Sequence, residues 1–161
     1  VTIKNRIWDI YNLHPASLKS VFLLGHVPVP YSGEINPDGH PDHLGAWPAD
    51  GYYGDMNGTW TDVSVNNSTA ASPRNQNIPG DGKFDQSDFQ SGVDLEVARV
   101  DFYDLTVFAV TETQLMSNYL SKLSIGLWKS TGRFLVWKTL SLLPPYGYRR
   151  KSWSLHSLVT K

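Results

Sequence analysis

The chain has 161 residues, a formal net charge of −1, 12% aromatic residues and no cysteine. This length provides for one domain with a buried core, and the lack of cysteine excludes disulfides, thiolate zinc sites and a cysteine nucleophile within the chain. No apolar run approaches the roughly 20 residues that a membrane-spanning helix requires, so we expect no membrane span.

The first part of the chain predicts a helix followed by a buried strand. Residues 3–13 place apolar side chains at spacings typical of one helical face. Pro15 ends this helix, because the residue before a proline disfavours the helical region. Residues 21–24 (VFLL) form an unbroken apolar run, which is typical of a strand buried on both faces of a parallel sheet. A helix, a short connection and a buried strand predict half of a βαβ unit and therefore an α/β fold.

His26 follows the predicted buried strand directly. In open α/β sheets ligands bind at the carboxyl ends of the strands, so His26 is a candidate general base or substrate-binding residue. The alternative is a histidine that bonds to the backbone in a tight turn.

The middle of the chain is rich in turn residues. Residues 31–50 show no apolar period and predict a long loop, whose length favours a functional or packed loop. Residues 50–55 and 60–63 predict two short strands joined at Asn57-Gly58 by a type I′ turn. We expect residues 64–80 to be exposed loop.

Two aspartates flank the aromatic pair of this predicted hairpin. Asp50 and Asp55 are candidates for binding a cation or a basic group of a substrate, and their alternative role is to cap the hairpin.

A second sheet strand and a second helix follow. Residues 95–102 alternate apolar and polar side chains and predict a strand, with residues 107–110 as a brief apolar continuation. Residues 111–113 (TET) predict an N-terminal cap before a helical pattern over residues 112–123. We expect the strand from residue 95 to lie beside residues 21–24 in the same direction, so that any pocket lies where both strands end.

The C-terminal part differs from the rest in charge. Residues 1–114 hold all 15 acidic residues and a net charge of −9, whereas residues 115–161 hold eight basic residues and no acid. We therefore divide the chain into an α/β domain over residues 1–123 and a basic tail over residues 124–161. The tail either docks on the acidic part or is foreign to the domain, for example through a shifted reading frame. A foreign tail would leave a sheet edge open and predicts poor solubility.

Residues 77–88 (NIPGDGKFDQSD) are similar to a calcium-binding loop of the D-x-[DN]-x-[DN]-G type. Calcium requires about six to eight oxygen ligands, and this spacing wraps the chain around one point, with Gly82 at the sharp turn. Pro79 departs from the pattern because it offers no side-chain oxygen, and a polar surface turn is the alternative interpretation. The candidate ligands, one of them a backbone carbonyl, are Asn77, Asp81, Lys83, Asp85 and Asp88.

A second metal-binding pattern lies in residues 38–43 (DGHPDH). Two imidazoles and two carboxylates this close together are suitable ligands for a divalent transition metal, and a polar turn is the alternative. With His26 and Asp50, the pair His40 and His43 supports the hypothesis of a metal-dependent hydrolase.

The aromatic content supports a further, non-enzymatic hypothesis. Trp47, Tyr52, Tyr53 and Trp60 provide rings of the kind that stack on sugars when exposed. Together with the calcium-like loop they suggest a secreted calcium- or carbohydrate-binding module. The chain has no glycine-rich phosphate loop, no Gly-x-Ser-x-Gly turn and no RNA-binding aromatic motif, so we expect no nucleic-acid partner.

Three segments, in order, resemble the gingipain-type cysteine peptidases. They are residues 21–26 (VFLLGH), 50–58 (DGYYGDMNG) and 94–100 (DLEVARV). The family has an apolar strand ending in Gly-Asp, a D-x-x-Y-x-D-x-x-G segment and a later D-[LIV]-x-[LIV]-G-R strand. This chain departs from the pattern at His26, where the family has aspartate, and at Ala98, where it has glycine.

The resemblance implies a caspase-like α/β fold with a mostly parallel sheet and flanking helices, here incomplete. It also implies secretion by a bacterium to the cell surface or beyond, calcium sites that stabilise loops, and a protein or peptide substrate for the parent. The catalytic histidine and cysteine of the family lie beyond the Gly-Arg strand, so no catalytic residue is carried over. Because a thiolate and a base are needed together, the resemblance implies a fragment that is inactive as given.

Overall fold

The computed structural model describes residues 2–127 and 135–138. In this part of the chain the two helices are α1 (Ile3–Leu13) and α2 (Glu112–Leu127). The five strands are β1 (Ser20–Leu24), β2 (Tyr31–Ile35), β3 (Gly45–Pro48), β4 (Glu96–Val100) and β5 (Leu135–Lys138). Short 3₁₀ turns lie at Pro41–His43, Asp50–Tyr53 and Pro73–Asn75. The protein is therefore α/β, as the sequence predicts.

Two compact units can be distinguished. The first comprises Val1–Ile10 and Pro28–Glu96, and the second comprises Tyr11–Val27 and Val97–Lys161.

The second unit contains a parallel sheet with β1 at its centre, in the order β4-β1-β5. β1 and β5 pair in parallel, with Val21 opposite Leu135. The amide of Gly25, directly after β1, donates to the carbonyl of Val100 at the end of β4 (2.9 Å). Because β1 and β4 are short neighbours in the sheet and their carboxyl ends meet, the two strands run in the same direction. The predicted arrangement of these two strands, adjacent and in the same direction, is thus confirmed.

Burial of β1 explains its apolar sequence. Val21, Leu23 and Leu24 are at most 1% exposed, as expected for a strand covered on both faces. Each such side chain contributes about 1.5–3 kcal/mol through its removal from water. The strand predicted over residues 21–24 is confirmed, with one additional residue at its start.

An aromatic side chain and a buried methionine, Met116, pack helix α2 in the second unit. The ring of Tyr119 lies 6.2 Å from that of Phe22 and 6.0 Å from that of Phe102, measured between ring centroids. The predicted start of the helix is confirmed, since the hydroxyl of Thr111 accepts the amide of Gln114 (3.2 Å), and the helix continues four residues beyond the predicted end.

The strand predicted over residues 95–102 is confirmed for Glu96–Val100, which form β4, but its predicted continuation over residues 107–110 is wrong. Those residues form turns and bends, and Val107 is 84% exposed. The chain changes direction after β4 at Asp104, whose φ is 54°. Of the predicted basic tail, residues 135–138 form β5, whereas residues 128–134 and 139–161 lie outside the described residues.

The first unit contains an antiparallel hairpin of β2 and β3, with Tyr31 opposite Pro48. The sequence predicts a loop over residues 31–50, which is wrong for these two strands. The reason is that β2 is held by a distant segment. The amide of Phe84 donates to Tyr31 and the carbonyl of Phe84 accepts from Gly33, which has a φ of +80°.

The predicted hairpin around Asn57 and Gly58 is also wrong. Asp50–Tyr53 forms a 3₁₀ turn, and the structure describes all of residues 54–66 without placing a strand there. Neither Asn57 nor Gly58 has a positive φ, whereas a type I′ turn requires it at both positions. The amide of Gly58 instead donates to the carboxylate of Asp55 (2.7 Å), a local side-chain bond that competes with regular pairing.

Residues 64–80 are predicted to be exposed loop, and this is only partly correct. Some of their side chains are buried. Asn67 and Asn77 are buried and exchange backbone hydrogen bonds of 2.6 and 2.9 Å. The side-chain oxygen of Asn67 accepts the amides of Thr69 and Ala70 (both 3.0 Å). Buried amide side chains thus satisfy the backbone where regular pairing does not.

Among the described residues, no helix has both the length and the apolar character needed to cross a membrane.

Candidate functional site

The three segments that resemble gingipain-type peptidases are connected through the strand that begins after Asp94. In the second unit, Gly25 of the first segment bonds to Val100 of the third. In the first unit, the amide of Asp94 donates to the carbonyl of Gly54 (3.1 Å), and the carboxylate of Asp94 accepts the amide of Met56 (2.8 Å). The third segment therefore bonds to both of the others.

Asp55, predicted as a substrate-binding residue, lies inside the first unit. Its carboxylate accepts the Gly58 amide (2.7 Å), the Trp60 indole N–H (3.0 Å) and the Ser91 hydroxyl (3.2 Å). These donors stabilise a buried carboxylate and hold the turn that follows it. Asp50, the other candidate in this unit, begins the 3₁₀ turn Asp50–Tyr53.

A lysine from α1 lies beside this turn. The ammonium group of Lys4 donates to the carbonyls of Tyr52 and Asp55 and lies 5.0 Å from the centroid of the Tyr52 ring. Burial lowers the pKa of Lys4 to about 8, although the carboxylates of Asp55 and Asp94 act in the opposite direction.

Three of the four aromatic residues considered for sugar stacking pack within the first unit. The ring of Tyr52 stacks on Phe84 with 4.7 Å between centroids, and Trp60 lies edge-on to both. Tyr53 is buried and donates its hydroxyl to the carbonyl of Pro28 (2.8 Å). Trp47 lines a surface cleft. Carbohydrate binding stays a prediction.

In the second unit, His26 forms a pair with Asp101, an aspartate that is not among the predicted site residues. Its Nδ1 lies 2.9 Å from Oδ2 of Asp101, and its ring stacks on Tyr103 with 4.0 Å between centroids. His26 directly follows the Gly25 junction at the end of β1, and Asp101 directly follows β4, so the parallel arrangement brings them together. A carboxylate on Nδ1 fixes the tautomer in which Nε2 is the acceptor, as a general base requires.

The position of Asp101 could have been derived from the sequence. Once two strands are predicted to be parallel neighbours, the first polar residues after each are expected to meet at one edge. Of the two residues, only His26 is among the predicted site residues at this edge. The partner of Nδ1 is a carboxylate rather than the backbone group of the alternative interpretation.

Asp85, a candidate calcium ligand, is surrounded by protein donors. Its carboxylate accepts the Thr61 hydroxyl (2.7 Å) and the amides of Val63, Ser64 and Val65 (2.9, 3.0 and 2.8 Å). Desolvation favours the neutral carboxyl, but these donors outweigh it and hold the pKa of Asp85 well below its usual range.

The other candidate calcium ligands have mixed surroundings. Asp81 accepts the Lys83 ammonium (2.7 Å) and the amides of Lys83 and Ile78. The side-chain N–H₂ of Asn77 donates to Gly33 (3.1 Å), whereas its buried Oδ1 has no hydrogen-bond partner among the described residues. This oxygen suits a cation or water, but Asp81 and Asp85 already bind protein donors. Calcium binding at these residues and Asp88 stays a prediction.

The predicted transition-metal loop forms a compact cluster in the first unit. Oδ2 of Asp38 lies 3.0 Å from Nδ1 of His40 and 2.6 Å from Nδ1 of His43. In the described part of the chain this is the one group of three such side chains whose ligand atoms all lie within 4.8 Å of one another. The group includes neither His26 nor Asp50, the other residues of the predicted metal-dependent hydrolase.

The acid of this cluster is held in its charged form. The hydrogen bond with His43 lowers the pKa of Asp38 against a smaller desolvation effect, with a further contribution from His40. An ionised carboxylate is the form that binds a metal ion.

A surface cleft of about 340 Å³ adjoins the cluster, because His43 belongs to both. Its lining residues are Asp42, His43, Leu44, Trp47, Ala71, Ser72 and Asn75.

Comparison of the chain with protein families, curated proteins and solved structures finds no match in any of the three.

Proposed function

We propose that this chain is part of a secreted, caspase-like peptidase domain of the gingipain type and that it supplies scaffold rather than the catalytic pair. The observation that carries the proposal is the connection of the three resembling segments through the strand that follows Asp94. The contact supports the proposal because the resemblance implies a mostly parallel sheet, and β1 and β4 are neighbours in one sheet.

A second contact supports a structural role for the last segment. The guanidinium of Arg99 donates to the carbonyl of Val27, just beyond β1. Charge-assisted hydrogen bonds of this kind orient loops at strand ends. The Arg of the family's Gly-Arg strand corresponds to Arg99, so the proposal assigns it to shaping the carboxyl edge of the sheet.

His26 and Asp101 lie at that edge and are the groups that would contact a peptide substrate in the parent protein. Nδ1 of His26 is paired with Asp101 at 2.9 Å, so Nε2 is left as an acceptor for a backbone N–H or a water molecule. Hydrolysis through a thiolate is excluded within this chain, which contains no cysteine.

The genetic test reads the DNA downstream of codon 123 in all three frames. A histidine codon followed by a cysteine codon, in the family's order, is the expected result. The absence of both from every frame would overturn the peptidase assignment.

The biochemical test compares this chain with the longer product of the same gene on a fluorogenic peptide library. We expect hydrolysis by the longer protein, complete loss of it after thiol alkylation, and none by this chain. Hydrolysis by this chain alone that persists after alkylation would contradict the proposed thiol chemistry.

A further inference from the structure

We propose that Asp38, His40 and His43 bind one divalent transition metal ion, with Zn²⁺ as the reference ion, and leave a coordination position open. This proposal is independent of the peptidase assignment. It rests on the donor set, on the loop that presents it and on the neighbouring cleft.

Two of the three separations between the donor atoms are already close to those that a metal requires. Bonds of about 2.0–2.1 Å to a tetrahedral zinc place its ligand atoms roughly 3.3 Å apart. Oδ2 of Asp38 lies 3.0 Å from Nδ1 of His40 and 2.6 Å from Nδ1 of His43. All three ligand atoms lie within 4.8 Å of one another, so an ion can bind if the carboxylate and the imidazoles move slightly apart and metal bonds replace the hydrogen bonds.

The loop orients the carboxylate for this purpose. Oδ1 of Asp38 accepts the backbone amide of His40 (3.2 Å), so the carboxylate is fixed and Oδ2 points to both imidazoles. Gly39, with a φ of +80° and no atom within 4 Å of an added Cβ, provides the turn between the first two ligands. Hydrogen bonds that orient a ligand in this way strengthen metal binding.

The third ligand is anchored to β3. The indole N–H of Trp47 donates to the carbonyl of His43 (3.0 Å), and the two rings lie edge-on at 6.4 Å between centroids. His43 also lines the cleft of about 340 Å³, so an ion at this residue would be accessible to small molecules there.

The chemistry of the donors selects the class of ion. Imidazole nitrogen suits Zn²⁺, Co²⁺, Ni²⁺ and Cu²⁺, whereas Ca²⁺ and Mg²⁺ prefer oxygen ligands throughout. Zinc sites with three protein ligands leave a further coordination position for water or an exogenous ligand, whereas structural sites with four protein ligands leave none.

The first experiment is calorimetric titration of chelator-treated protein with Zn²⁺ at neutral pH. We expect one ion per chain, and binding weakened at least ~10-fold in His40→Ala and in His43→Ala, since even loss of a supporting residue weakens metal binding that much. His14→Ala is the matched control, because that exposed histidine lies at the end of α1. Circular dichroism verifies the fold of each variant.

Two results would overturn the site. One is no zinc binding by the wild-type protein. The other is binding of equal strength in the wild type and in both histidine variants, which would place the ion elsewhere.

Two spectroscopic measurements locate the ion and its open position. Cu²⁺ bound at the site should quench the fluorescence of Trp47. We expect this quenching in the wild type but not in Trp47→Phe or in His43→Ala. Azide should change the visible spectrum of the Co²⁺-loaded protein. Equal quenching in all three proteins would contradict the location, and an unchanged spectrum would contradict the open position.

Discussion

At the scale of single residues, carboxylates take the place of regular pairing in the first unit. Asp85 accepts three successive backbone amides and a hydroxyl, and Asp62 accepts the amides of Gly80 and Gly82 (both 2.7 Å). Buried or partly buried amides without partners are costly, so these acids determine the paths of long segments that lack strands.

Replacement of Asp85 by asparagine should destabilise the protein by about 1–2 kcal/mol, because a neutral amide cannot satisfy all four donors and two of them are partly buried. The pKa of Asp85 is lowered in the folded state, so its contribution is complete above the ordinary aspartate pKa of about 4 and is lost as the pH falls below it. Urea unfolding of wild type and variant at several pH values measures both effects.

Asp42→Asn is the matched control, since Asp42 is exposed, and it should change the free energy of unfolding by less than about 0.5 kcal/mol. A difference between wild type and Asp85→Asn that stayed constant down to pH 2 would contradict the linkage.

Gly58→Ala should destabilise the protein by about 3 kcal/mol, because the new methyl group would lie 1.9 Å from Oδ2 of the buried Asp55 carboxylate. Gly92→Ala is the matched control, as an added Cβ there meets nothing within 4 Å. Thermal unfolding of the two variants compares them directly, and equal midpoints would show that the turn after Asp55 adjusts freely.

At the scale of elements, the sequence predicts helices and strands whose burial produces a regular apolar pattern. It misses strands that are stabilised by hydrogen bonds to residues far away in the chain. Strand β1 and helices α1 and α2 are visible because burial on one or both faces imposes their apolar patterns. Strand β2 depends on hydrogen bonds from Phe84, which no local pattern reveals.

The same distinction applies to the candidate sites. The cluster of residues 38–43 was predictable because its three ligands are close in sequence, whereas the pair of His26 and Asp101 depends on the parallel contact of β1 with β4. The sequence predicts a hairpin at the turn after Asp55 because turn propensities for Asn-Gly do not include the hydrogen bond from the Gly58 amide to the Asp55 carboxylate.

Leu23→Ala in the central strand should destabilise the protein by about 3 kcal/mol through lost burial and a residual cavity. Leu23 is 0% exposed, and Leu13 at the end of α1 is 72% exposed, so Leu13→Ala is the matched control with an expected change near zero. Urea unfolding midpoints at constant slope measure the two changes. Similar losses in both variants would argue against β1 as the core of the sheet.

At the scale of the whole molecule, an apolar surface segment follows β4. Five large apolar residues in residues 103–110 are exposed, namely Tyr103, Leu105, Val107, Phe108 and Val110. Exposed apolar residues in succession favour association between molecules.

The double variant Val107→Ser and Phe108→Ser should aggregate more slowly and retain its free energy of unfolding within about 0.5 kcal/mol. Light scattering during incubation measures the first quantity and urea unfolding the second. Val63→Ser at another exposed valine serves as the control. A large loss of stability would show that residues 107 and 108 are packed in solution.

The central place of β1 also has a consequence for biosynthesis. This strand leaves the ribosome well before its neighbours β4 and β5, which lie more than 70 residues further along the chain. Until then the nascent chain carries an unpaired, strongly apolar strand, and contacts between such distant segments form slowly. We therefore expect a chaperone to bind β1 of the nascent chain while the segment between β1 and β5 is translated. We expect the chaperone to dissociate once β4 and β5 have both emerged.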